Sequence, residues 1–154
     1  MTPIKMTVLC YIQKNGKTLM LHRTKKENDI HKGKWNGVGG KIEHNESPEE
    51  AVKRESLEET GLQIEPILKG IITYPQTNNG EYTMVFVFIS KKFSGKLIEC
   101  NEGDLEWIEN KNLKKLNMWK GDYYFLPLLN KKGIFTAKIT YDKEKVTELL
   151  IKKY

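Results

Sequence analysis

Seven of the chain's twenty acidic residues fall between Glu43 and Glu59, a window of 17 residues in which an even spread would place about two. The chain as a whole is net basic, +6 at pH 7, so this local acidic excess needs a cause. Ser47-Pro48-Glu49-Glu50 marks a helix start. Ser47 can cap, Pro48 suits the first helical position, and Glu50 completes a capping box. Gly61 reads as the stop, so the spacing predicts a helix over Pro48 to Thr60. On it Glu55, Glu58 and Glu59 stand at i, i+3 and i+4, one above the other. Ala51 shares their arc and Val52 and Ser56 flank it, which turns the acids partly inward. Inward carboxylates need compensation, and a hard divalent cation supplies it, because carboxylates with water are the ligand set of Mg2+ and Mn2+. Arg54 can hold one carboxylate in orientation. The plainer reading is a solvated acidic face laced with salt bridges.

The flanks favour the chemical reading. From Gly40 the chain runs five residues to Glu46, seven to Arg54-Glu55, two to Glu58-Glu59 and one to Gly61-Leu62. This 23-residue pattern resembles the box of the Nudix hydrolases, which cleave nucleoside diphosphates linked to another group. Every glycine, glutamate and arginine position of the box is matched. The departure is Ser56, where the family carries an aliphatic residue that packs the helix on its sheet. The resemblance implies an α/β protein, an α/β/α sandwich with a mixed β-sheet, in which a loop–helix–loop binds Mg2+ beneath a polyphosphate. It implies Glu55, Glu58 and Glu59 as metal ligands, joined by the Gly40 carbonyl, with Glu46 and Arg54 supporting them. Glu102 stands where related enzymes carry a further metal-binding acid, with Glu99 and Asp104 as near rivals. Which glutamate is the general base varies across the family and stays open.

The box leaves the substrate open. Lys34-Trp35-Asn36-Gly37-Val38-Gly39-Gly40-Lys41 resembles the approach segment of the MutT-type members, which remove oxidised purine nucleoside triphosphates. Asn117-Met118-Trp119-Lys120-Gly121-Asp122, with Tyr123 to Leu129, resembles the nucleobase wall of the oxidised-purine triphosphatases. Cys100 to Gly103 and Leu105 to Trp107 resemble the MutX-type branch, and the likeness spans about Met6 to Asp142. It implies hydrolysis of 8-oxo-dGTP to 8-oxo-dGMP and pyrophosphate. Asn36 offers a donor and an acceptor to a purine edge, Trp119 a flat face, and Asp122 an acceptor, or a donor when protonated. Thr7 would line the same pocket, and Arg23 and Lys41 would contact phosphate. Each has a structural alternative: Trp119 as core, Asn36 as a turn cap, Asp122 as a helix cap, Arg23 as an ordinary surface side chain. Gly121 replaces the first of two adjacent acids on which the relatives' breadth toward oxidised adenine relies. Other substrates of the same chemistry are ordinary dNTPs, dihydroneopterin triphosphate, ADP-ribose and an RNA 5′ end. A non-catalytic nucleotide- or RNA-binding module is the alternative from another class, opposed by the complete set of box glutamates.

The elements that must position these groups fit one domain over residues 1–154, a usual single-domain length. Ile4 to Ile12 is β-rich, Leu19 to Leu21 is apolar, and Asn15-Gly16 between them signals a hairpin. Lys25 to Lys34 reads as a polar loop, and Trp35 to Ile42 as a glycine-rich approach to a ligand. Strands are expected over Ile67 to Tyr74, Tyr82 to Ile89, Leu105 to Ile108 and Ile134 to Tyr141. A helix broken by Pro127 is expected over Tyr123 to Leu129, and a terminal helix over Lys143 to Lys152. Cys10 and Cys100 are far apart in sequence and form no metal or redox motif, which fits reduced thiols in a cytoplasmic protein. No apolar run approaches a membrane span and no leader is evident. Only Arg23 and Arg54 of the 26 basic residues are arginine, which argues against duplex nucleic acid as a partner. The expected partner is a nucleoside triphosphate, and the sequence leaves monomer and homodimer open.

Overall fold

Asn15 and Gly16 both take left-handed backbone angles, φ 51° and 74°, and so close the turn between β1 (Ile4–Lys14) and β2 (Lys17–Arg23). The structure is a computed structural model that describes residues 3–77 and 80–154. The chain continues through β3 (Trp35–Asn36), β4 (Val38–Lys41), α1 (Pro48–Thr60), β5 (Leu62–Ile64), β6 (Ile67–Tyr74) and β7 (Tyr82–Ser90). There follow β8 (Phe93–Gly95), β9 (Gly103–Glu109), α2 (Asp122–Phe125), β10 (Phe135–Asp142) and β11 (Lys145–Lys153), with 3-10 turns at Asn110–Lys115 and Leu126–Leu128.

The main sheet has the order β11-β10-β6-β7-β1-β2-β3, with β4 also beside β1 and β9 beside β2. The pairs β1–β7 and β6–β10 are parallel and the others antiparallel, so the sheet is mixed. Both faces are covered. Val8, Cys10, Ile12, Leu19 and Leu21 pack with Ala51 and Val52 of α1 on one face. Tyr11, Met20, Ile72 and Val87 pack with Met118, Phe125 and Leu129 on the other. Burial on both faces explains why Ile4 to Ile12 is apolar without clean alternation. The result is the expected α/β/α sandwich.

The helix α1 has the expected bounds. Ser47 Oγ accepts from Glu50 N, the Glu50 carboxylate accepts from Ser47 N, and Gly61 ends the helix at φ 80°. The apolar segment after Trp119 is one α-turn followed by a 3-10 turn that contains Pro127. The short pair β5–β8 lies outside the sequence expectations.

The terminal helix expected over Lys143 to Lys152 is a strand. β11 pairs antiparallel with β10, through a turn in which Lys143 has φ 56°. Thr140 faces Glu148 and Tyr141 faces Val146, so Thr147 is an extra residue in the ladder. That bulge changes the parity of the strand, and Val146, Leu149 and Ile151 all pack on the second core. In sequence their spacing imitates a helix. The open edge of β10 supplies the pairing that decides otherwise. Cys10 and Cys100 are buried and free. No helix among the described residues is long and apolar enough to cross a membrane.

Candidate active site

Arg54 organises the acidic helix. Its Nε donates to Glu46 Oε2 (2.6 Å) and its Nη2 to Glu46 Oε1 (3.0 Å), a two-pronged grip. Nη2 also donates to the Lys41 carbonyl (3.0 Å), which ties the helix to the end of β4. Nη1 donates to Glu55 Oε1 (2.9 Å) and Glu58 Oε2 (3.3 Å). These hydrogen bonds hold the Glu46 carboxyl below its ordinary range.

Glycines admit the carboxylates. In the β1–β4 register Gly40 lies opposite Val8, and a Cβ on Gly40 would sit 2.5 Å from the Glu55 carboxyl carbon. Gly39 N donates to Glu59 Oε2 (2.9 Å). Ala51, Ser56 and Thr60 are buried against the sheet while Glu55 and Glu59 are half-buried above it. Glu58 differs from the expectation of a shared inward face: its side chain is 59% exposed. Burial pushes the Glu55 carboxyl up, an effect partly offset by Arg54.

Of the three rival acids, the fold brings Glu102 to the helix. Burial, first, and then the facing Glu102 carboxyl push the Glu59 carboxyl up. Burial opposes the Glu102 charge, but the hydrogen bonds from Glu59 and Lys26 and the Arg23 charge bring it below its ordinary value. Glu99 is a surface partner of Lys25, and Asp104 accepts from Thr24. Arg23 faces Asp29 (2.8 Å) and Glu102 (3.5 Å), and is therefore not an idle surface residue.

A second group gathers on the other side of the sheet. Trp119 is half-buried, not core; its Nε1 donates to His31 Nδ1 (2.7 Å). Tyr141 meets the indole edge-on at 5.5 Å, and the Lys34 ammonium lies 4.9 Å from the ring centroid. Lys34 also pairs with Glu144 of the β10–β11 turn at 2.5 Å. Asp122 opens α2 but makes no capping bond. The residue is 8% exposed, near Tyr11, Tyr74, Tyr141 and Lys34, and burial pushes its carboxyl from 3.8 to about 7. Thr7 is half-buried on β1 opposite Lys41, whose own side chain is exposed. Asn36 lies on β3, paired with Leu21 of β2.

His31, Asp29, Tyr141 and Glu144 carried no sequence signal for this site, and Lys34 was marked only as the start of the approach segment. They lie in a polar loop and at the far end of the chain, and only the fold brings them to Trp119.

The donor set fits a hard divalent cation. Two carboxyls, Glu59 and Glu102, face each other in a partly desolvated niche, where a cation would offset the burial of their charge. As they stand, Glu55 and Glu58 turn to Arg54, and among the described residues no three side chains of metal-ligating type converge.

A mixed-sheet sandwich with this glycine-flanked, arginine-braced acidic helix defines a class that the comparisons name. The family model for the NUDIX domain matches residues 3–129, and the chain belongs to the Nudix family. It is 32% identical over 151 residues to the Nudix hydrolase YvcI of Bacillus subtilis, covering 94% of this chain and 91% of that one. It is 31% identical to an oxidized purine nucleoside triphosphate hydrolase of Mus musculus, over 73% of this chain and 72% of the relative. The crystal structure of a MutT protein from Bacillus halodurans superposes with TM-score 0.85 at 27% identity, covering 96% of this chain and 97% of that one.

Proposed function

We propose that the protein is a Mg2+-dependent pyrophosphohydrolase that turns 8-oxo-dGTP into 8-oxo-dGMP and pyrophosphate, and so cleans the nucleotide pool of the cytoplasm. The observation that carries the reading is the Asp122 carboxyl, on a buried residue that opens α2 three positions beyond Trp119. A buried carboxyl that changes charge near neutral pH can donate to or accept from a guanine edge. The mouse relative's name supports an oxidised purine as the base.

The chain's residues then divide the work. Glu55, Glu58, Glu59, Glu102 and the Gly40 carbonyl hold the cation, which when bound neutralises charge on the polyphosphate. Arg54, anchored by Glu46, keeps Glu55 and Glu58 in orientation. Gly39 N–H does the same for Glu59. Arg23 and Lys41 contact phosphate, while Thr7, Asn36, Trp119 and Asp122 line the base pocket. Water adds to phosphorus, the phosphoanhydride P–O bond breaks, and pyrophosphate leaves with the bonding electrons. A box glutamate takes the water's proton.

Gly121 narrows the base. A Cβ there would lie 2.6 Å from Tyr141 Oη and 2.9 Å from Ile139 Cδ1, and Gly121 N donates to Tyr141 Oη at 2.8 Å. An acid at this position would have to displace the Tyr141 hydroxyl and Ile139, and its absence here favours guanine-derived over adenine-derived substrates. The test is kcat/KM for 8-oxo-dGTP against dGTP, with and without Mg2+ and with products identified. A preference of about 100-fold or more, with monophosphate and pyrophosphate as products, is expected. Equal rates on the two nucleotides overturn the oxidised-base assignment.

A further inference from the structure

A chain of contacts runs from the carboxyl pair to the indole. Arg23 lies 3.5 Å from Glu102 through Nη1 and donates from Nε to Asp29 Oδ2 (2.8 Å). The other Asp29 oxygen, Oδ1, accepts from the His31 backbone N–H (3.0 Å). His31 Nδ1 then accepts from Trp119 Nε1 (2.7 Å), with the two rings nearly perpendicular at 81°. The Asp29 side chain is 6% exposed, so the loop between β2 and β3 is pinned at its centre.

An indole has one polar atom, the N–H donor. An acceptor fixed in place beside it selects one orientation of the ring. His31 meets that need only while Nδ1 carries a lone pair. Burial and the Arg23 charge hold the imidazole below its ordinary pKa, the direction that favours an accepting ring nitrogen. The tautomer follows from the hydrogen bond itself, because an accepting Nδ1 leaves the proton on Nε2.

We propose that His31 is the positioning residue for nucleobase recognition: by accepting the Trp119 Nε1–H it sets the plane of the indole on which the substrate purine stacks. The role rests on the reading of Trp119 as the base platform. His31 meets Asp29 through its backbone N–H and Trp119 through its ring, and not the acidic helix, so its effect belongs to binding of the base and not to the chemical step.

Three variants test this: His31→Leu, which removes the acceptor; His31→Asn, whose amide oxygen takes the place of Nδ1; and Trp119→Phe, which removes the donor. The Trp119 indole N–H resonance and its exchange with water report the bond directly, without substrate. Binding of 8-oxo-dGMP without metal, and KM and kcat for 8-oxo-dGTP, report its use. In His31→Leu the resonance should move upfield and exchange faster. Kd and KM should rise about tenfold while kcat stays within about twofold, the scale of one lost hydrogen bond. His31→Asn should restore most of the affinity, and His31→Leu added to Trp119→Phe should cost nothing further. An unchanged indole resonance in His31→Leu, or additive losses in the double variant, overturns the proposal. If Trp119→Phe itself leaves 8-oxo-dGMP binding unchanged, the platform reading fails and the role of His31 with it. A loss confined to Trp119→Phe sinks the role of His31 alone.

Discussion

Arg54 and Glu46 meet through two nearly parallel hydrogen bonds, Nε to Oε2 at 2.6 Å and Nη2 to Oε1 at 3.0 Å, eight residues apart across the helix start. The same guanidinium reaches Glu55, Glu58 and the Lys41 carbonyl. A lysine ammonium has no fork and cannot hold these partners together. Arg54→Lys should therefore lower kcat/KM by about 10- to 100-fold, although the charge is kept, because the carboxylates lose their orientation. Steady-state kinetics at saturating Mg2+ check this; near-wild-type activity would show that charge alone suffices.

Glu58 faces solvent for most of its surface, so its substitution tests chemistry with little risk to the fold. Glu58→Gln should cut turnover at least about 100-fold, and Tm should stay within about a degree of the parent. Thermal denaturation beside the kinetics separates the two effects. Wild-type-like turnover would remove this glutamate from the mechanism.

Asp122 is pushed from its usual 3.8 to about 7, chiefly by burial, against the pull of Lys34. A carboxyl raised on folding binds its proton more tightly in the folded state. Its contribution to stability is full below pH 3.8 and is lost as pH rises through about 7. Asp122→Asn cannot titrate, so its Tm should fall less than the parent's between those values. Parallel Tm curves for parent and variant would show that Asp122 does not titrate in this window.

Ser56 Oγ is buried with only the Cys10 thiol, a weak partner, beside it, and burial pushes that thiol far above its ordinary range. The family's aliphatic residue at this position has no such polar atom to satisfy. Ser56→Ala should leave stability unchanged or raise it by up to about 1 kcal/mol. Denaturant unfolding measures it, and a clear loss would mean that the hydroxyl finds a partner after all.

The acidic helix was legible because its signals are local. The capping box, Gly61 and the spacing of Glu55, Glu58 and Glu59 act within a few turns of one another, and α1 keeps the bounds they set. The β1–β2 hairpin was legible for the same reason, through Asn15-Gly16. Trp119 and Asp122 were found by resemblance; their half-burial and burial were not readable, since both depend on side chains from distant strands. β11 misled because the bulge at Thr147 exists only in the ladder with β10.

By itself, the sequence determined the glycine-flanked acidic box and its helix, because short-range backbone preferences suffice for these, while the mixed sandwich was implied by the resemblance that the box carries. The tertiary structure alone decided which acid faces Glu59, which imidazole holds Trp119, and that the terminal segment pairs as a strand. Each of those outcomes turns on groups 43, 88 and about ten residues apart, whose meeting is set by packing of the whole sheet and written in no single stretch of chain.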